Sequence, residues 1–408
     1  MTITREEQLS LLDEVYYQKN GYPYAAWDKI RAEDPIHFVE REGGESYWAV
    51  TRHQDIEEIQ SQPEIFENGP KLAFGNVSEG NVRMIINMDP PDHRVYRNLV
   101  NKKFMPKSLE WVEHYAREIS TDTIDKAMAY NGETMDLMEH IAGPLPTAVI
   151  CSFLGVPKEL WPKVLEWTDL IIGAVDPDFS GGMDPMEYAL QAMAEMTSVY
   201  ADLFEDRKKN PQDDLLTDLI KARINGQPIP DLELYSFCHI LNTAGHETTK
   251  NTIGAAIHLL ANHPDQMAKV KSNLDLIPQM IEEVLRYASP AVHFCRTPNQ
   301  DTEVNGKKIR AGETMVMFYP SANRDPEIFD NPNQFDIERK PNNHLAFGVG
   351  AHGCLGKHLA RMELRCMFEE LLPRLENIEI ISPPEMVQTC IVGGIKRLQV
   401  RATLLPKK

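Results

Sequence analysis

One long segment limits the possible folds more than any other feature of this sequence. Between Asp231 and Asn262, apolar residues recur at helical spacing over roughly 30 residues. At 1.5 Å per residue such a helix is ~45 Å long, long enough to cross the whole molecule. The remaining elements must therefore pack around this helix, which favours a mainly α-helical architecture.

The rest of the chain supports that expectation. Pro and Gly clusters are short and fall between periodic segments, as turns do, so we expect a single domain over residues 1–408. Strand patterns are few, and the fold class is therefore mainly α with a small β region. They occur at 36–40 and 47–51, which form a hairpin, and at 302–309, 314–318 and 398–404. Helical spacing predicts further helices at 92–103, 109–130, 186–209, 277–288 and 355–375.

The charge of the chain argues against several classes of partner. The formal net charge is −19, and an acidic chain repels nucleic-acid phosphates and anionic membrane surfaces. The N-terminal segment is polar and lacks the apolar core of a signal peptide. No stretch of about 18 apolar residues offers a transmembrane span. We therefore expect a cytoplasmic, monomeric protein that binds neither nucleic acid nor a membrane.

Six cysteines are scattered along the chain without a C-x-x-C pair, so reduced thiols are expected in a cytosolic setting. Each of them could be a small buried apolar residue. Cys354 differs because it lies in the segment FGVGAHGCLG, which opens directly into a predicted helix. The glycines allow close approach of a flat cofactor, and a helix N-terminus favours a thiolate over a thiol. A thiolate is a strong ligand for iron.

This segment is similar to F-x-x-G-x-H-x-C-x-G, the haem-binding signature of the cytochrome P-450 family. The resemblance extends from about residue 20 to the C-terminus, and it is greatest to soluble bacterial members of the terpene- and steroid-oxidising branches. It implies a helical prism around one haem, with Cys354 as the proximal iron ligand and Phe347, Gly348, His352 and Gly356 beside the cofactor. An axial thiolate donates electron density that favours O–O cleavage.

The middle of the long segment has the sequence TAGHETT, and polar residues in an apolar helix need a reason. Ile240, Ala244 and Thr248 are spaced four apart and share one face. Ala244 leaves room for haem and dioxygen, and the Thr248 hydroxyl can bond the Ala244 carbonyl and open the helix locally. The sequence resembles the family's A-G-x-[D/E]-T-T pattern, which implies that Glu247 and Thr248 deliver protons. A solvated polar face with a kink is the alternative, and we interpret His246 as a structural or edge residue.

The two carboxylates of a haem need cationic partners. His93 and Arg97 are four residues apart at the start of a predicted helix, and they face the same way. The resemblance places these two residues at a haem propionate and matches Arg296 and His352 to the other propionate contacts. Taken singly, each of the four could be an ordinary surface cation.

Glu283 and Arg286 form an E-x-x-R pair on one helical face. The resemblance assigns this pair, together with Arg339, to a structural ion network that holds the loop carrying Cys354. E-x-x-R alone carries little weight, because surface helices often contain it, but its place among the other motifs favours this role.

The resemblance also indicates a substrate pocket formed by four parts of the chain, and its residues are mostly apolar, as in ligand pockets generally. No Arg or Lys is evident there to bind a carboxylate, although Lys71 is close. A terpenoid is therefore expected, with a steroid-like, alkyl-aromatic or fatty-acid substrate as the alternative. Core packing is another interpretation of each residue. The pocket residues are Leu72, Phe74, Ile240, Thr243, Ala244, Ala291, Val292, Ile391 and Val392.

The chain has no flavin or iron–sulfur motif, so a partner must supply electrons. Residues 93–107 contain five basic residues and no acidic one, and Lys357, Arg361 and Arg365 follow Cys354. Such a basic surface would steer an acidic ferredoxin by opposite charge, unless it is an ordinary solvated face. The resemblance implies a monooxygenase that uses O₂, NAD(P)H, a ferredoxin and its reductase to hydroxylate a small apolar molecule. The alternatives are a peroxide-driven enzyme, which the Glu247–Thr248 pair argues against, and a haem sensor without turnover.

Overall fold

The helices occupy most of the chain, as the hydrophobic periodicity predicts. The computed structural model describes residues 3–74, 83–181 and 184–407. The helices are α1 (Arg5–Ser10), α2 (Glu14–Asn20), α3 (Tyr24–Glu33), α4 (His53–Gln60), α5 (Asp92–Val100), α6 (Glu110–Ala127), α7 (Pro144–Leu154), α8 (Trp161–Ile172), α9 (Pro177–Ser180), α10 (Pro185–Lys209), α11 (Leu215–Lys221), α12 (Asp231–Asn262), α13 (Pro264–Ser272), α14 (Ile277–Ala288), α15 (Tyr319–Ala322) and α16 (Lys357–Arg374).

The strands are short and fall into separate small sheets. They are β1 (Ile36–Val39), β2 (Tyr47–Val50), β3 (Phe66–Glu67), β4 (Thr134–Asp136), β5 (Arg223–Ile224), β6 (Gln227–Pro228), β7 (His293–Pro298), β8 (Thr302–Val304), β9 (Lys307–Ile309), β10 (Met315–Phe318), β11 (Leu375–Ile380), β12 (Glu385–Met386), β13 (Ile395–Arg397) and β14 (Gln399–Leu404). The prediction of a mainly α fold with a small β region is confirmed.

Helix α12 is the central element of the fold. Its 32 residues give a length of about 48 Å, and it packs against α7, α8, α10, α14 and α16. Apolar side chains along its whole length, such as Leu234, Phe237, Ile253 and Leu260, are buried against these neighbours. Burial on several sides explains why its apolar residues are not confined to one narrow stripe.

The largest sheet joins distant parts of the sequence. Its strand order is β1-β2-β10-β7-β3, with β2 and β10 parallel and the other neighbours antiparallel. The predicted hairpin at 36–51 is confirmed by the β1–β2 pair. Strand β7, which the periodicity did not indicate, places Arg296 opposite Met315. The sheet therefore brings a cation that is remote in sequence to the edge of the helical core.

Three predicted helix boundaries are wrong by two or three residues. Helix α6 ends at Ala127, and the predicted helical residues up to 130 lie in a 3-10 turn over Met128–Tyr130. Helix α5 ends at Val100, and the predicted helical residues up to 103 lie in a 3-10 turn over Asn101–Phe104. Helix α16 begins at Lys357, so Cys354 precedes its first residue by three positions and does not open directly into it. No helix in the described ranges is both long and apolar enough to cross a membrane.

Candidate functional site

An internal cavity of about 230 Å³ brings together the two motifs that the sequence singled out. The segment before α16 forms one wall and includes Phe347, Gly348, Cys354 and Gly356, while the middle of α12 forms another. These two stretches are about a hundred residues apart in sequence. The packing of α12 beside α16 makes them neighbours.

The loop before α16 holds Cys354 through its own backbone. The Cys354 amide donates to the Phe347 carbonyl at 2.7 Å, which closes the loop. Gly348 and Gly350 have φ values of +60° and +69°, a region that residues with a Cβ rarely adopt. A Cβ on Gly350 would also lie 2.2 Å from the main-chain oxygen of Gln60. Both glycines are therefore required by the turn that presents the sulfur to the cavity.

The protein alone does not hold Cys354 as a thiolate. Burial raises the pKa of the Cys354 thiol, and this effect outweighs the opposing Gly356 amide and the charges of Arg97, Arg361 and Lys357. The start of the helix does lower this pKa through the amide of Gly356, the residue before α16, as the sequence predicts, but burial outweighs that contribution. A metal cation bound to the sulfur would supply the missing stabilisation of the anion.

Two arginine and two histidine side chains line the same cavity as Cys354. Arg296 is 4% exposed, and among the described residues its guanidinium has no carboxylate partner and donates only to the Cys295 carbonyl. His93 and His352 stack with ring centroids 3.8 Å apart, and the Arg97 Nη2 donates to the Gly353 carbonyl. Side chains from α5, from β7 and from the Cys354 loop therefore meet at one cavity.

This set of side chains fits a group that carries two carboxylates. His352 Nε2 is a buried atom with no hydrogen-bond partner in the described structure, and a buried guanidinium without an anion is energetically costly. Burial lowers the pKa of His93 to about 4 and that of His352 to about 2, so neither imidazole is charged at neutral pH without an anion beside it. A sulfur ligand, unpartnered donors and an apolar cavity match the haem expected here.

The opposite wall is the face of α12 that carries Ala244 and Thr248. Ala244 is exposed although it lies midway along the central helix, because this face opens to the cavity. The Thr248 Oγ1 donates to the Ala244 carbonyl at 2.9 Å, as the sequence predicts. Helix α12 is continuous through this point, so the predicted local opening is absent from the described helix.

Glu247 lies on a different face of α12 and does not line the cavity. Its side chain is buried, its Oε1 accepts from Lys250 Nζ at 2.6 Å, and its Oε2 has no partner in the described structure. Lys250 also contacts Asp169 at 3.3 Å, and burial raises the pKa of Asp169 to about 6. The predicted acid is thus held in an ion network behind the Thr248 face. His246 beside it is buried and is not an edge residue.

Only some of the predicted substrate residues reach the cavity. Leu72, Ile240, Ala244 and Ala291 line it. The other predicted pocket residues do not, and the correction has a packing reason in each case. Phe74 packs against Tyr47, and the Thr243 hydroxyl donates to helix carbonyls. Val292 is buried in an apolar cluster, against which the half-buried Ile391 packs. Val392 is half-buried and forms a bridge to Ala291.

Several cavity residues were not predicted from the sequence. Gln60, Phe294, Tyr319 and Glu363 line the cavity. Glu363 gave a usable signal, because it is an acidic residue on an apolar stretch of α16 with Leu359 four positions before it. Burial raises the pKa of Glu363 well above its usual range, which favours the neutral form of its carboxyl. The other three have no sequence signal, because their positions depend on contacts between distant segments.

The three residues of the predicted ion network are in contact. Arg286 donates to both carboxylate oxygens of Glu283 at 2.8 Å, and Arg339 Nε lies 3.1 and 3.2 Å from the same two oxygens. Glu283 and Arg286 are both fully buried. Neither faces the cavity, so the contacts favour a structural role.

The basic surface beside the Cys354 loop is smaller than the sequence suggests. Arg94, Lys102, Lys107 and Lys357 are exposed and have no ion pair among the described residues. Arg97 is turned inward to the Gly353 carbonyl. Three other cations are already paired with acidic groups: Lys103 with Asp218, Arg361 with Glu282, and Arg365 with Glu113 and Glu369.

Comparison with known proteins agrees with this geometry. The family profile described as cytochrome P-450 matches residues 35–388 of this chain. Cytochrome P-450-terp of a Pseudomonas species is 37% identical over 407 aligned positions, covering 95% of this chain and 95% of the relative. A methyl-branched lipid omega-hydroxylase of Mycobacterium tuberculosis is 35% identical, covering 92% of this chain and 90% of the relative.

Two further matches cover nearly the whole chain. The linalool 8-monooxygenase of Pseudomonas putida is 32% identical, covering 94% of this chain and 96% of the relative. A crystal structure of a cytochrome P-450 from Novosphingobium aromaticivorans superposes with a TM-score of 0.90 at 33% identity and covers 99% of both chains. These similarities extend far beyond the Cys354 motif, to the complete arrangement of helices.

Proposed function

This chain belongs to the cytochrome P-450 family, a family of haem-thiolate monooxygenases, and on that premise we propose that it hydroxylates a terpenoid with O₂ and NAD(P)H. A ferredoxin and its reductase supply the electrons. The observation that carries the proposal is the cavity between Cys354 and the Ala244–Thr248 face, whose Arg and Lys side chains all belong to the set suited to haem carboxylates.

The residues that would hold the cofactor have separate tasks. Cys354 Sγ would bind the iron, and Arg296, Arg97, His93 and His352 would hold the two carboxylates. When bound, the haem supplies the redox-active iron at which dioxygen is activated. Ala244 keeps this part of α12 free of side-chain bulk and leaves space on the side of the cavity that faces Cys354.

Thr248 is the hydroxyl that moves protons into the cavity. Its Oγ1 donates to the Ala244 carbonyl and faces the cavity, so it can give a proton to the cavity and receive another from the protein interior. Glu247 is the acid that restores this proton. Because the Glu247 carboxylate is paired with Lys250, it must first take up a proton from solvent before it can pass one to Thr248. This uptake requires that the ion pair loosens, with Asp169 as the second acceptor for Lys250.

The composition of the cavity favours a terpenoid over a free fatty acid. Its described walls include Leu72, Ile85, Ile240 and Phe294, and apolar walls are matched by apolar substrates. Lys71 is not part of the cavity and is paired with Glu45, so it does not bind a substrate carboxylate. The linalool 8-monooxygenase relative supports a terpenoid, whereas the methyl-branched lipid hydroxylase supports the main alternative.

The proposal of an acidic ferredoxin as electron donor rests on the positive surface charge next to the Cys354 loop. Arg94, Lys102, Lys107 and Lys357 give the surface next to the Cys354 loop a local positive charge on a chain whose net charge is −19. An acidic ferredoxin would be attracted to this surface and repelled elsewhere, which raises the rate of productive encounter.

The substrate class is tested by spectral titration of the purified haem protein with monoterpene alcohols, steroids and branched fatty acids. We expect a monoterpene alcohol to give the tightest low-spin to high-spin shift, and turnover with NADH, ferredoxin and reductase to add one oxygen atom to it. Tighter binding and turnover of a branched fatty acid would overturn the terpenoid assignment in favour of the lipid alternative.

The proton role is tested with Thr248→Ala. General acid–base groups contribute typically about 10²–10⁴-fold to a proton-transfer step, so we expect product formed per NADH consumed to fall at least about tenfold. Thr168→Ala is the matched control, because the Thr168 hydroxyl makes the same kind of bond to a helix carbonyl, at 2.9 Å from Val164, outside the cavity. Equal product yields for both variants would contradict the role of Thr248.

A further inference from the structure

A buried amide–phenol pair joins two walls of the Cys354 cavity. Gln60, the last residue of α4, donates from Nε2 to the hydroxyl oxygen of Tyr319. Gln60 is 5% exposed and Tyr319 is 2% exposed, and both residues line the cavity. The two positions are 259 residues apart in sequence, and neither belongs to a motif that the function has used.

The sheet register sets where the Tyr319 hydroxyl lies. The Tyr319 amide donates to the Val292 carbonyl at 3.0 Å and so continues the β10–β7 ladder, in which Met315 is opposite Arg296 and Met317 is opposite Phe294. Side chains at alternate positions share one face of a sheet. Tyr319 therefore lies on the same face as Arg296.

The electrostatic interaction between Tyr319 and Arg296 agrees with the position of the Tyr319 hydroxyl near this guanidinium. Burial raises the pKa of Tyr319 to about 12, and the strongest opposing influence is the positive charge of Arg296. Reciprocally, Tyr319 is the foremost of the groups that oppose the lowering of the Arg296 pKa by burial. The hydroxyl and the guanidinium are thus electrostatic neighbours in a buried site.

The hydrogen-bond pattern leaves one donor to be satisfied. The Tyr319 oxygen accepts a hydrogen bond from Gln60, so its own proton points elsewhere, and no residue in the described ranges accepts it. A buried hydroxyl proton without an acceptor is costly. Arg296 is the cavity cation suited to a haem carboxylate, and a carboxylate beside it would accept hydrogen bonds from the guanidinium and from Tyr319.

The other end of the pair holds the Cys354 loop. Gln60 Oε1 accepts from the Val349 amide at 2.9 Å, and Val349 lies between the two glycines with positive φ, Gly348 and Gly350. The main chain of Gln60 presses against Gly350, as the 2.2 Å approach of an added Cβ shows. The end of α4 thus fixes the turn five residues before Cys354.

We propose that Tyr319 is a haem-carboxylate donor and that Gln60 is a positioning residue that ties this donor to the thiolate loop. The cofactor would then be held by one continuous hydrogen-bonded path, from a haem carboxylate through Tyr319 and Gln60 to Val349. This inference rests on haem binding, and it is independent of the substrate and the redox partner proposed above.

The donor role is tested by haem transfer from the purified ferric protein to excess apomyoglobin. Tyr319→Phe removes only the hydroxyl, and loss of a hydrogen bond to a buried anion predicts transfer about tenfold faster, since tenfold corresponds to about 1.4 kcal/mol. Tyr200→Phe is the matched control, because the Tyr200 hydroxyl also accepts from a buried amide, that of Asn242, but does not line the cavity. We expect its transfer rate to stay within about twofold of the wild type.

The positioning role is tested by the ferrous–CO spectrum. Gln60→Met leaves the Val349 amide without its acceptor, and we expect a large fraction of the protein to lose the Soret position typical of thiolate ligation. Gln62→Met is the control, because the Gln62 side chain bonds only the Glu58 carbonyl in the described structure. Far-UV circular dichroism separates loss of ligation from loss of fold.

Two results would overturn the inference. A haem-transfer rate for Tyr319→Phe within twofold of the wild type would remove the donor role. A complete thiolate-type spectrum in Gln60→Met would remove the positioning role. Both measurements need neither substrate nor ferredoxin, so their failure would leave the terpenoid proposal standing, and failure of the substrate titration would leave these results unaffected.

Discussion

The buried ion network offers the sharpest quantitative test of the fold, through the variant Arg286→Met. Arg286 is fully buried and binds Glu283 through two hydrogen bonds of 2.8 Å. It also donates to the main-chain carbonyls of Asn323 and Pro332 at 2.8 Å and of Gln334 at 3.2 Å. One side chain therefore connects α14 to two stretches of the segment that leads to the Cys354 loop.

The expected cost follows from these contacts. Removing one partner of a buried ion pair costs about 3–5 kcal/mol, and the low end applies because Arg339 and Asn342 remain bonded to Glu283. Three carbonyls lose a donor, at about 1 kcal/mol each where water cannot replace it. We expect the free energy of unfolding to fall by about 4–6 kcal/mol, which is a large part of the 5–15 kcal/mol typical of a folded protein.

Urea unfolding of the haem protein, followed by far-UV circular dichroism and by the Soret band, measures this change. Lys269→Met is the control, because its ion pair with Glu338 is exposed, with side-chain exposures of 45% and 50%, and such pairs contribute less than about 1 kcal/mol. A loss below about 2 kcal/mol in Arg286→Met would show that Arg286 does not stabilise the fold through the network described here.

Three further variants test the loop, the docking surface and a buried histidine. Gly350→Ala should lose the thiolate-type ferrous–CO spectrum, because its φ is +69° and its Cβ would meet a main-chain oxygen of α4. Gly44→Ala is the control and should keep the spectrum, because Gly44 does not line the cavity and the nearest atom to its Cβ would be the Arg41 Cβ at 3.9 Å. Identical spectra of the two variants would refute the steric argument. Lys102→Glu combined with Lys107→Glu should slow reduction by an acidic ferredoxin on the order of tenfold at low ionic strength and little at high salt. Stopped-flow kinetics measure the rate of reduction, and a rate that does not depend on salt would exclude this docking surface. Burial lowers the pKa of His246 to about 3, so the unfolded chain binds one more proton than the folded protein between about pH 4 and 6. The free energy of unfolding therefore falls by about 1.4 kcal/mol per pH unit from this residue as the pH falls. His246→Leu should remove that contribution, and an equal loss of unfolding free energy from pH 5.5 to 4.5 in the variant and the wild type would contradict it.

Helix bounds were predictable wherever one long apolar pattern dominated. Asp231–Asn262 and Ile277–Ala288 have the ends that periodicity predicts. The strand β7 was missed because its residues are buried or half-buried on both sides, and such a strand lacks the alternation that identifies strands with one exposed face. The same loss of contrast hid α7, which is apolar almost all round.

Within the cavity, neighbouring residues in sequence have different positions. Ala291 lines the cavity, whereas Val292 is in the core, because pairing with other strands decides which residue of an extended segment faces which side. Glu247 is a similar case on a helix. Its carboxylate accepts from Lys250, which also contacts Asp169, and so points away from the Thr248 face. A sequence pattern predicts that these side chains are close together, but it does not predict the direction in which each one points.

The reactive groups of the site could be predicted from local sequence patterns. A cysteine among glycines before a helix, an acid and an alcohol in the middle of a long helix, and an E-x-x-R pair are local patterns, and local patterns are readable because neighbouring residues in a chain remain neighbours in the fold. Three features could be seen only in the folded protein: which walls enclose the cavity, that Lys250 binds Glu247, and that Gln60 contacts Tyr319 across 259 positions. Those contacts depend on helix packing and strand register, which are set by the burial of the whole apolar core and not by any single segment.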